Sequence, residues 1–238
     1  TRKQFLHTIE KSYQRCTKTS YSRIISIVSI VAGLSLTGLV FLLKDVPSPA
    51  KLVKTPAPIS TQILDRNGKI LYEVYSRYKR TPISLDSIPL TVQQATIAIE
   101  DKNFYHHHGL DTLAIVRAAF NTLRGKRLEG GSTITQQLVK NALLSDSSRT
   151  ITRKIKEALL AIATELTYNK SQILELYLNH APYGGAVYGI ETASETYFGK
   201  AAKNLTLAES ALLAGLPQSP TRYSPFGANP ELAIARQQ

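Results

Sequence analysis

The chain of 238 residues has one cysteine, no methionine and no tryptophan. A lone Cys16 excludes an internal disulfide framework and any CxxC motif. Glycine (13) and proline (11) are too few for a collagen-like or low-complexity chain. Acidic residues are scarce, 17 against 29 lysines and arginines, which leaves a net charge of +12. Hydrophobic residues make up 43%, so the chain is not wholly disordered. With no methionine and Thr1 at the start, it is expected to be a processed product or a piece of a longer chain. The length suits one large domain or two small ones.

The positive charge is unevenly placed. Residues 1–23 carry Arg2, Lys3, Lys11, Arg15, Lys18 and Arg23 against Glu10 alone. The next 20 residues, 24–43, hold no charge. As a helix they would reach about 30 Å, one bilayer core. A cleavable signal is the rival, but its apolar stretch usually runs only about 7–15 residues. A retained anchor is therefore expected, with the basic tail and Cys16 in the cytoplasm and everything after Lys44 outside. Much of the charge is then topological, which argues against a nucleic-acid partner. The organisation expected is a cytoplasmic tail over 1–23, a transmembrane anchor over 24–43, a Pro-rich linker over 44–58 and an outer domain over 59–238. Pro47, Pro49, Pro56 and Pro58 make the linker a semi-rigid spacer.

Asn67-Gly68, between two alternating apolar runs, predicts a β-hairpin at the entrance of the outer domain. Beyond it the pattern is helical. Thr91 with Gln94 predicts a capping box and a helix running towards Phe104. Asp111 caps a second helix, whose stripe Leu113, Val116, Phe120 and Leu123 is expected to be buried. A long helix over about 150–168 has Ile151, Ile155, Ala158, Ile162 and Leu166 as its expected buried stripe. Asn169 caps the next helix, and Thr206 with Glu209 boxes another before AESALLAGL. A last helical piece covers 231–236. The outer domain is thus mainly α.

Four segments hold residue types suited to chemistry. In EDKNFYHHHGLD, Glu100 and Asp101 sit late in a helix, and spacing alone leaves open whether they enter a cleft or face water. His106, His107 and His108 are consecutive and cannot converge on one metal without an unusual turn, so hydrogen-bonding roles are expected. GGSTITQQLVKN combines flexible backbone with Ser132, Thr133, Gln136 and Gln137. It suits an anion or a sugar, and equally an ordinary loop and N-cap; the P-loop spacing is absent. Between Arg124 and Lys156, eight basic residues (Arg124, Lys126, Arg127, Lys140, Arg149, Arg153, Lys154, Lys156) face only Glu129 and Asp146. Such a cluster suits a polyanion, with Glu157 orienting one cation. Alternatively, Arg153–Glu157 is an exposed i,i+4 pair worth about 0.3 kcal/mol. In ILELYLNHAPYG, Glu175 and Asn179 share a face at i,i+4, either as a buried hydrogen-bonded pair or a solvated one.

Taken together, these segments resemble the peptidoglycan glycosyltransferases, glycosyltransferase family 51. That family occurs as the first domain of bifunctional class A penicillin-binding proteins and as monofunctional enzymes. Its EDxxFxxHxG motif is matched by Glu100, Asp101, Phe104, His107 and Gly109. Its GGSTITQQ motif stands over Gly130 to Gln137, followed by Lys140 and Asn141. RKxxE is Arg153, Lys154 and Glu157, and ILExYLN ends on Glu175, Tyr177, Leu178 and Asn179. Tyr188-Gly189, Tyr197 to Lys200 and Leu213 to Gly215 match later elements. The departures, Glu129 for a common Gln and Asn169 for a common Ser or Thr, touch no catalytic position. The transpeptidase motifs SxxK, SxN and KTG are not found as a set, so penicillin binding is not expected of these residues.

The resemblance implies a lysozyme-like, mainly α fold with a small membrane-proximal jaw over about 124–160, whose amphipathic helices dip into the lipid surface. It implies polymerisation of lipid II by inverting β-1,4 transfer, with undecaprenyl pyrophosphate released. Glu100 would be the general base, a solvated carboxyl with a pKa of about 4.3 and so already ionised. Glu157 would be the second acid, organising the pyrophosphate region. Lys140, Arg149, Arg153 and Lys154 would meet the leaving charge. Asp101, Phe104, His107, Asn141, Glu175 and Asn179 complete the implied site, with Ser132, Thr133, Gln136 and Gln137 on the sugars. No cofactor is required; a divalent ion, Mg or Mn, is neither required nor excluded. Implied partners are lipid II, the nascent glycan, membrane lipid, a C-terminal transpeptidase domain and other wall-synthesis proteins. Implied location is the bacterial inner membrane, single-pass. The alternatives are a lytic transglycosylase cutting the same glycan and an inactive membrane-tethered wall-binding protein.

Overall fold

The computed structural model describes residues 26, 28–30, 33, 37–38, 44, 46–54, 61–68, 70–74, 80–124, 131–144 and 150–237. The chain divides into two compact units, Thr1–Val46 and Pro47–Gln238. In the first, the described positions between 26 and 38 are helical, and Thr37 Oγ1 donates to Gly33 O at 2.9 Å. The tail 1–23 and most of the expected anchor lie outside the described residues. Among the described residues no helix is long and apolar enough to cross a membrane.

The second unit is mainly helical. Strands β1 (Thr61–Leu64) and β2 (Ile70–Val74) pair antiparallel, with Thr61 opposite Val74 and Ile63 opposite Tyr72. The turn falls where Asn67-Gly68 predicts it. Asp65 Oδ1 accepts from Asn67 N at 2.8 Å, and Asp65 O accepts from Gly68 N at 3.0 Å. Nine helices are described: α1 (Lys51–Lys54), α2 (Leu90–Glu100), α3 (Thr112–Leu123), α4 (Ile134–Ala142), α5 (Ile151–Thr167), α6 (Lys170–His180), α7 (Ile190–Phe198), α8 (Leu207–Gly215) and α9 (Glu231–Gln237). Strands β3 (Pro182–Gly184) and β4 (Val187–Tyr188) form a small ladder between α6 and α7.

Helix α4 is the centre of the packing and lies against both α5 and α6, while α2 packs on α8 and α8 on α9. Val92, Phe104, Ile134, Leu138, Leu174 and Leu213 are fully buried in one continuous core. Each such side chain contributes roughly 1.5–3 kcal/mol of transfer free energy. Local chemistry sets several helix starts. Asn169 and Gln172 form a reciprocal capping box at α6, as do Thr206 and Glu209 at α8. Asp111 Oδ1 accepts from Ala114 N at 2.8 Å at the start of α3.

Other expectations fail for tertiary reasons. Helix α2 starts after Pro89 with no side-chain cap; Thr91 Oγ1 instead pairs with Ser210 Oγ at 3.0 Å on α8. The helix stops at Glu100, and Phe104 lies in the turn beyond. The apolar stripe of α3 is exposed, with Leu113 at 75%, and Val116 and Phe120 also exposed; the side chain of Leu123 lies outside the described ones. In α5 the buried residues are Glu157, Leu160, Ala161 and Thr164, while Ile151, Ile155, Ile162 and Leu166 (85%) face out. Periodicity locates an apolar face without saying what covers it. The linker is also more than a spacer: Leu52 on α1 is buried in the core, and Tyr168 Oη donates to Pro49 O at 3.3 Å.

Candidate active site

Glu100, the last residue of α2, lines a cleft of about 720 Å³ together with Asp101, Lys102, Arg117, Ser132 and Arg236. Its side chain is only 4% exposed. Oε2 accepts from Gln137 Nε2 at 2.6 Å. Oε1 has no hydrogen-bond partner among the described residues, and Arg236 Nη2 lies 3.9 Å from it. Burial pushes the carboxyl above the usual glutamate range, and the neighbouring Asp101 adds to the rise; the Gln137 hydrogen bond and the Arg236 charge pull it back. The expected solvated, ordinary glutamate is thus corrected: this carboxyl is desolvated and held by two partners.

The turn after Glu100 is tied down by its own motif. His107 Nε2 lies 2.9 Å from both oxygens of Asp101, and Asp101 Oδ2 accepts from Ile134 N at 3.0 Å, joining the turn to the start of α4. Lys170 caps the same turn, donating to His107 O at 2.7 Å and sitting 4.6 Å above the Phe104 ring. Gly109 lets the turn lie on α5. Its φ is +87°, and a Cβ there would come within 2.9 Å of the Ala161 backbone. His106 and His108 are exposed. Asp101 lines the cleft, whereas Phe104 and His107 are buried and do not.

The GGSTITQQ segment divides its residues between capping and cleft. Thr133 is the N-cap of α4, boxed with Gln136, and its hydroxyl donates to Gly109 O at 2.6 Å. Gln136 is buried and spent in that box, so of the polar group expected on the sugars, Ser132 and Thr133 line the cleft and Gln137 reaches Glu100. Gly130 lies outside the described residues. Ser132 Oγ accepts from Lys154 Nζ at 2.8 Å, and Lys154 also pairs closely with Glu157 Oε1. The acid therefore orients Lys154, not Arg153 as the i,i+4 spacing suggested. Arg153 Nε is buried with no partner among the described residues. Lys140 and Asn141 are exposed on the last turn of α4. Arg149 lies outside the described residues.

Glu175 and Asn179 do not line the cleft. Glu175 Oε2 accepts from Leu85 N at 2.8 Å. Asn179 accepts from Ile83 N at 3.0 Å and donates to Ile83 O at 2.8 Å. The pair fastens residues 81–85 to α6. Sequence reasoning missed Arg236 altogether. It arrives on α9, with Nε donating to Gly215 O at 2.9 Å and its guanidinium 5.0 Å from the Tyr223 ring centroid. No local pattern announces it, because only packing of α9 on α8 carries it to Glu100.

A family model described as transglycosylase matches residues 67–238. Penicillin-binding protein 1A of Aquifex aeolicus (strain VF5) is 47% identical over 217 residues, 90% of this chain and 30% of that protein. Penicillin-binding protein 1F of Bacillus subtilis (strain 168) is 43% identical over 85% of this chain and 28% of its own length. Penicillin-binding protein 1A/1B of the same strain is 44% identical over 92% of this chain and 24% of its own. A crystal structure of penicillin-binding protein 1A from Haemophilus influenzae aligns over 76% of this chain and 17% of that one, at 24% identity and a TM-score of 0.38. The chain spans less than a third of the curated relatives it matches. With the transglycosylase model covering most of the chain, and Glu100, Asp101, Ser132 and Thr133 of its motifs lining one cleft, the chain belongs to the peptidoglycan glycosyltransferases, the transglycosylase family.

Proposed function

We propose that the chain polymerises lipid II into glycan strands by inverting β-1,4 transfer, releasing undecaprenyl pyrophosphate. One observation carries this reading: the desolvated carboxyl of Glu100, whose Oε1 has no hydrogen-bond partner among the described residues, lines a cleft whose wall includes Ser132, the partner of Lys154. The acceptor 4-hydroxyl gives its proton to Glu100 while its oxygen bonds to the donor C1. The C1–O bond to phosphate breaks, and the electron pair leaves with the pyrophosphate. A glycosidase needs a second carboxyl to protonate a poor sugar leaving group. Pyrophosphate needs cations instead, and Lys154, steered by Glu157, with Arg153, Lys140 and Arg149, would provide them. Among the described residues no three His, Cys, Asp or Glu side chains come together to hold an ion such as Mg or Mn.

We further assign the exposed apolar faces of α3 and α5 to the lipid surface. Leu113, Val116 and Phe120, and Ile151, Ile155 and Leu166, are exposed, and amphipathic helices with such faces suit a membrane surface. That placement suits a substrate whose tail stays in the bilayer, a lysozyme-like domain with its jaw over 124–160, and an anchor over 24–43 leading through 44–58 into 59–238 on the outer side of the inner membrane. A transpeptidase domain and other wall-synthesis proteins are the proposed partners.

The test is incubation of the purified chain with lipid II. Polymer and free undecaprenyl pyrophosphate are expected, and Glu100→Gln is expected to abolish both while folding is kept. Cleavage of preformed glycan without polymer would identify a lytic enzyme. Wild-type turnover by Glu100→Gln would remove Glu100 from its role.

A further inference from the structure

The two carboxylate oxygens of Glu100 are not equivalent. Oε2 is occupied by the 2.6 Å hydrogen bond from Gln137 Nε2. Oε1 is buried without a hydrogen-bond partner among the described residues and belongs to a residue that lines the cleft. What keeps Gln137 in this pose is a question of donors and acceptors. A primary amide has nearly the same shape when turned over, but would then present oxygen to the carboxylate. A donor at its far end forbids that. Tyr177 Oη lies 3.4 Å from Gln137 Oε1, a long bond, on a ring that is fully buried. Burial, with the Glu100 charge beside it, pushes the Tyr177 hydroxyl well above its usual range, so it stays an O–H.

We propose that Tyr177 and Gln137 are positioning residues that occupy Oε2 of Glu100 and so make Oε1 the atom that receives the acceptor proton. The inference rests on Glu100 being the base of the proposed transfer. The chain of donors has one direction: Tyr177 O–H to Gln137 Oε1, then Gln137 N–H to Glu100 Oε2. A proton arriving at Oε2 would have to break the 2.6 Å bond from Gln137, whereas at Oε1 no hydrogen bond breaks and only the 3.9 Å approach of Arg236 is weakened. The acceptor O–H bond breaks, the proton goes to Oε1, the oxygen pair forms the bond to C1, and the displaced pair leaves with the pyrophosphate. Gln137 thereby acts on the base, where sequence reasoning had it on the sugars.

The groups facing Glu100 come from five directions. Asp101 follows it on the chain, Gln137 comes from α4, Tyr177 from α6, Tyr183 from β3 and Arg236 from α9. Asp101 and burial disfavour the ionised form, and Gln137 and Arg236 favour it. Losing the Gln137 donor, or letting its amide turn over, must therefore make Glu100 harder to ionise.

The experiment uses the whole chain with glutamate labelled by ¹³C at the carboxyl, the Glu100 signal being assigned by its loss in Glu100→Gln. The titration midpoint of Glu100 is compared in wild type, Gln137→Met and Tyr177→Phe, alongside lipid II polymerisation as a function of pH. The midpoint is expected to rise in both variants, more in Gln137→Met. Polymerisation near pH 6 is expected to fall about tenfold in Gln137→Met and about threefold in Tyr177→Phe, both losses narrowing as pH rises, with KM for lipid II within about twofold of wild type. An unmoved midpoint in Gln137→Met overturns the proposal, as does a raised KM with an unmoved acid limb, which would put Gln137 on the substrate. Should Tyr177→Phe fail to fold, Gln137→Met still decides. Raised midpoints in the variants, together with a wild type that makes no polymer, would keep the clamp and remove the proposed reaction.

Discussion

Lys154→Ala separates a structural debt from a catalytic one. The Glu157 side chain is 2% exposed and its partner Lys154 is 50% exposed. Removing one member of a fully buried pair costs about 3–5 kcal/mol, because the other charge stays buried and unpaired. Half of Lys154 faces water, so the pair is partly screened and a loss of about 2 kcal/mol is expected. For a unit of this size that is about 4–8 °C in unfolding midpoint. Glu157→Gln removes the buried charge and leaves a half-exposed ammonium, which costs about 1 kcal/mol. In Lys154→Ala with Glu157→Gln no charge remains buried, so most of the loss should return, a coupling of about 1–2 kcal/mol. Activity should behave differently. Polymerisation is expected to drop at least about tenfold in Lys154→Ala and stay low in the double variant, since on the proposed transfer the departing pyrophosphate would lack a cation in both. Thermal unfolding followed by circular dichroism and lipid II polymerisation at fixed ionic strength provide the two readouts. Wild-type stability in Lys154→Ala, or a double variant destabilised by the full sum of the singles, would refute the reasoning.

Arg236→Gln should move the acid limb of polymerisation to higher pH: the arginine favours the ionised carboxylate against burial, so without it Glu100 stays protonated further up the scale. Arg236→Lys keeps the charge and should keep the limb, and equal shifts in both variants would count against an electrostatic role. Gly109→Ala should cost about 2–4 kcal/mol in denaturant unfolding, because φ is +87° and the Ala161 backbone stands 2.9 Å from the new methyl. Gly68→Ala, at φ +79° in open space, should cost only about 1–2 kcal/mol; similar losses would mean that the close approach to α5 is unimportant. Replacing the exposed Val116 and Phe120 together by serine should change stability by less than about 0.5 kcal/mol. The same change should weaken co-sedimentation with anionic lipid vesicles several-fold, and unchanged vesicle binding would remove α3 from the lipid surface.

Signals that act over three or four residues were legible in the chain. The cap at Asn169, the capping box at Thr206 and the turn at Asn67-Gly68 stand where expected, because each satisfies its backbone groups with its own neighbours. The motif residues Glu100, Ser132 and Thr133 were also found in order, and they do meet at one cleft. Their individual jobs were not readable. Gln136 could have faced a sugar or a cap, Glu175 a ligand or a strap, and Glu157 either of two cations. Which one holds depends on groups from elsewhere in the fold, such as Leu85 N for Glu175.

Local pattern, then, determined where elements begin, which faces are apolar and which residue types are present for chemistry. Tertiary structure alone decided which apolar faces are covered, leaving Leu113 and Leu166 bare while Leu160 and Ala161 are buried. It alone brought Arg236 and Tyr177 to Glu100 and removed that carboxylate from water. The physical reason is range: hydrogen bonds within a turn depend on adjacent residues, whereas desolvation and charge depend on everything packed within several ångströms, whatever its place in the chain.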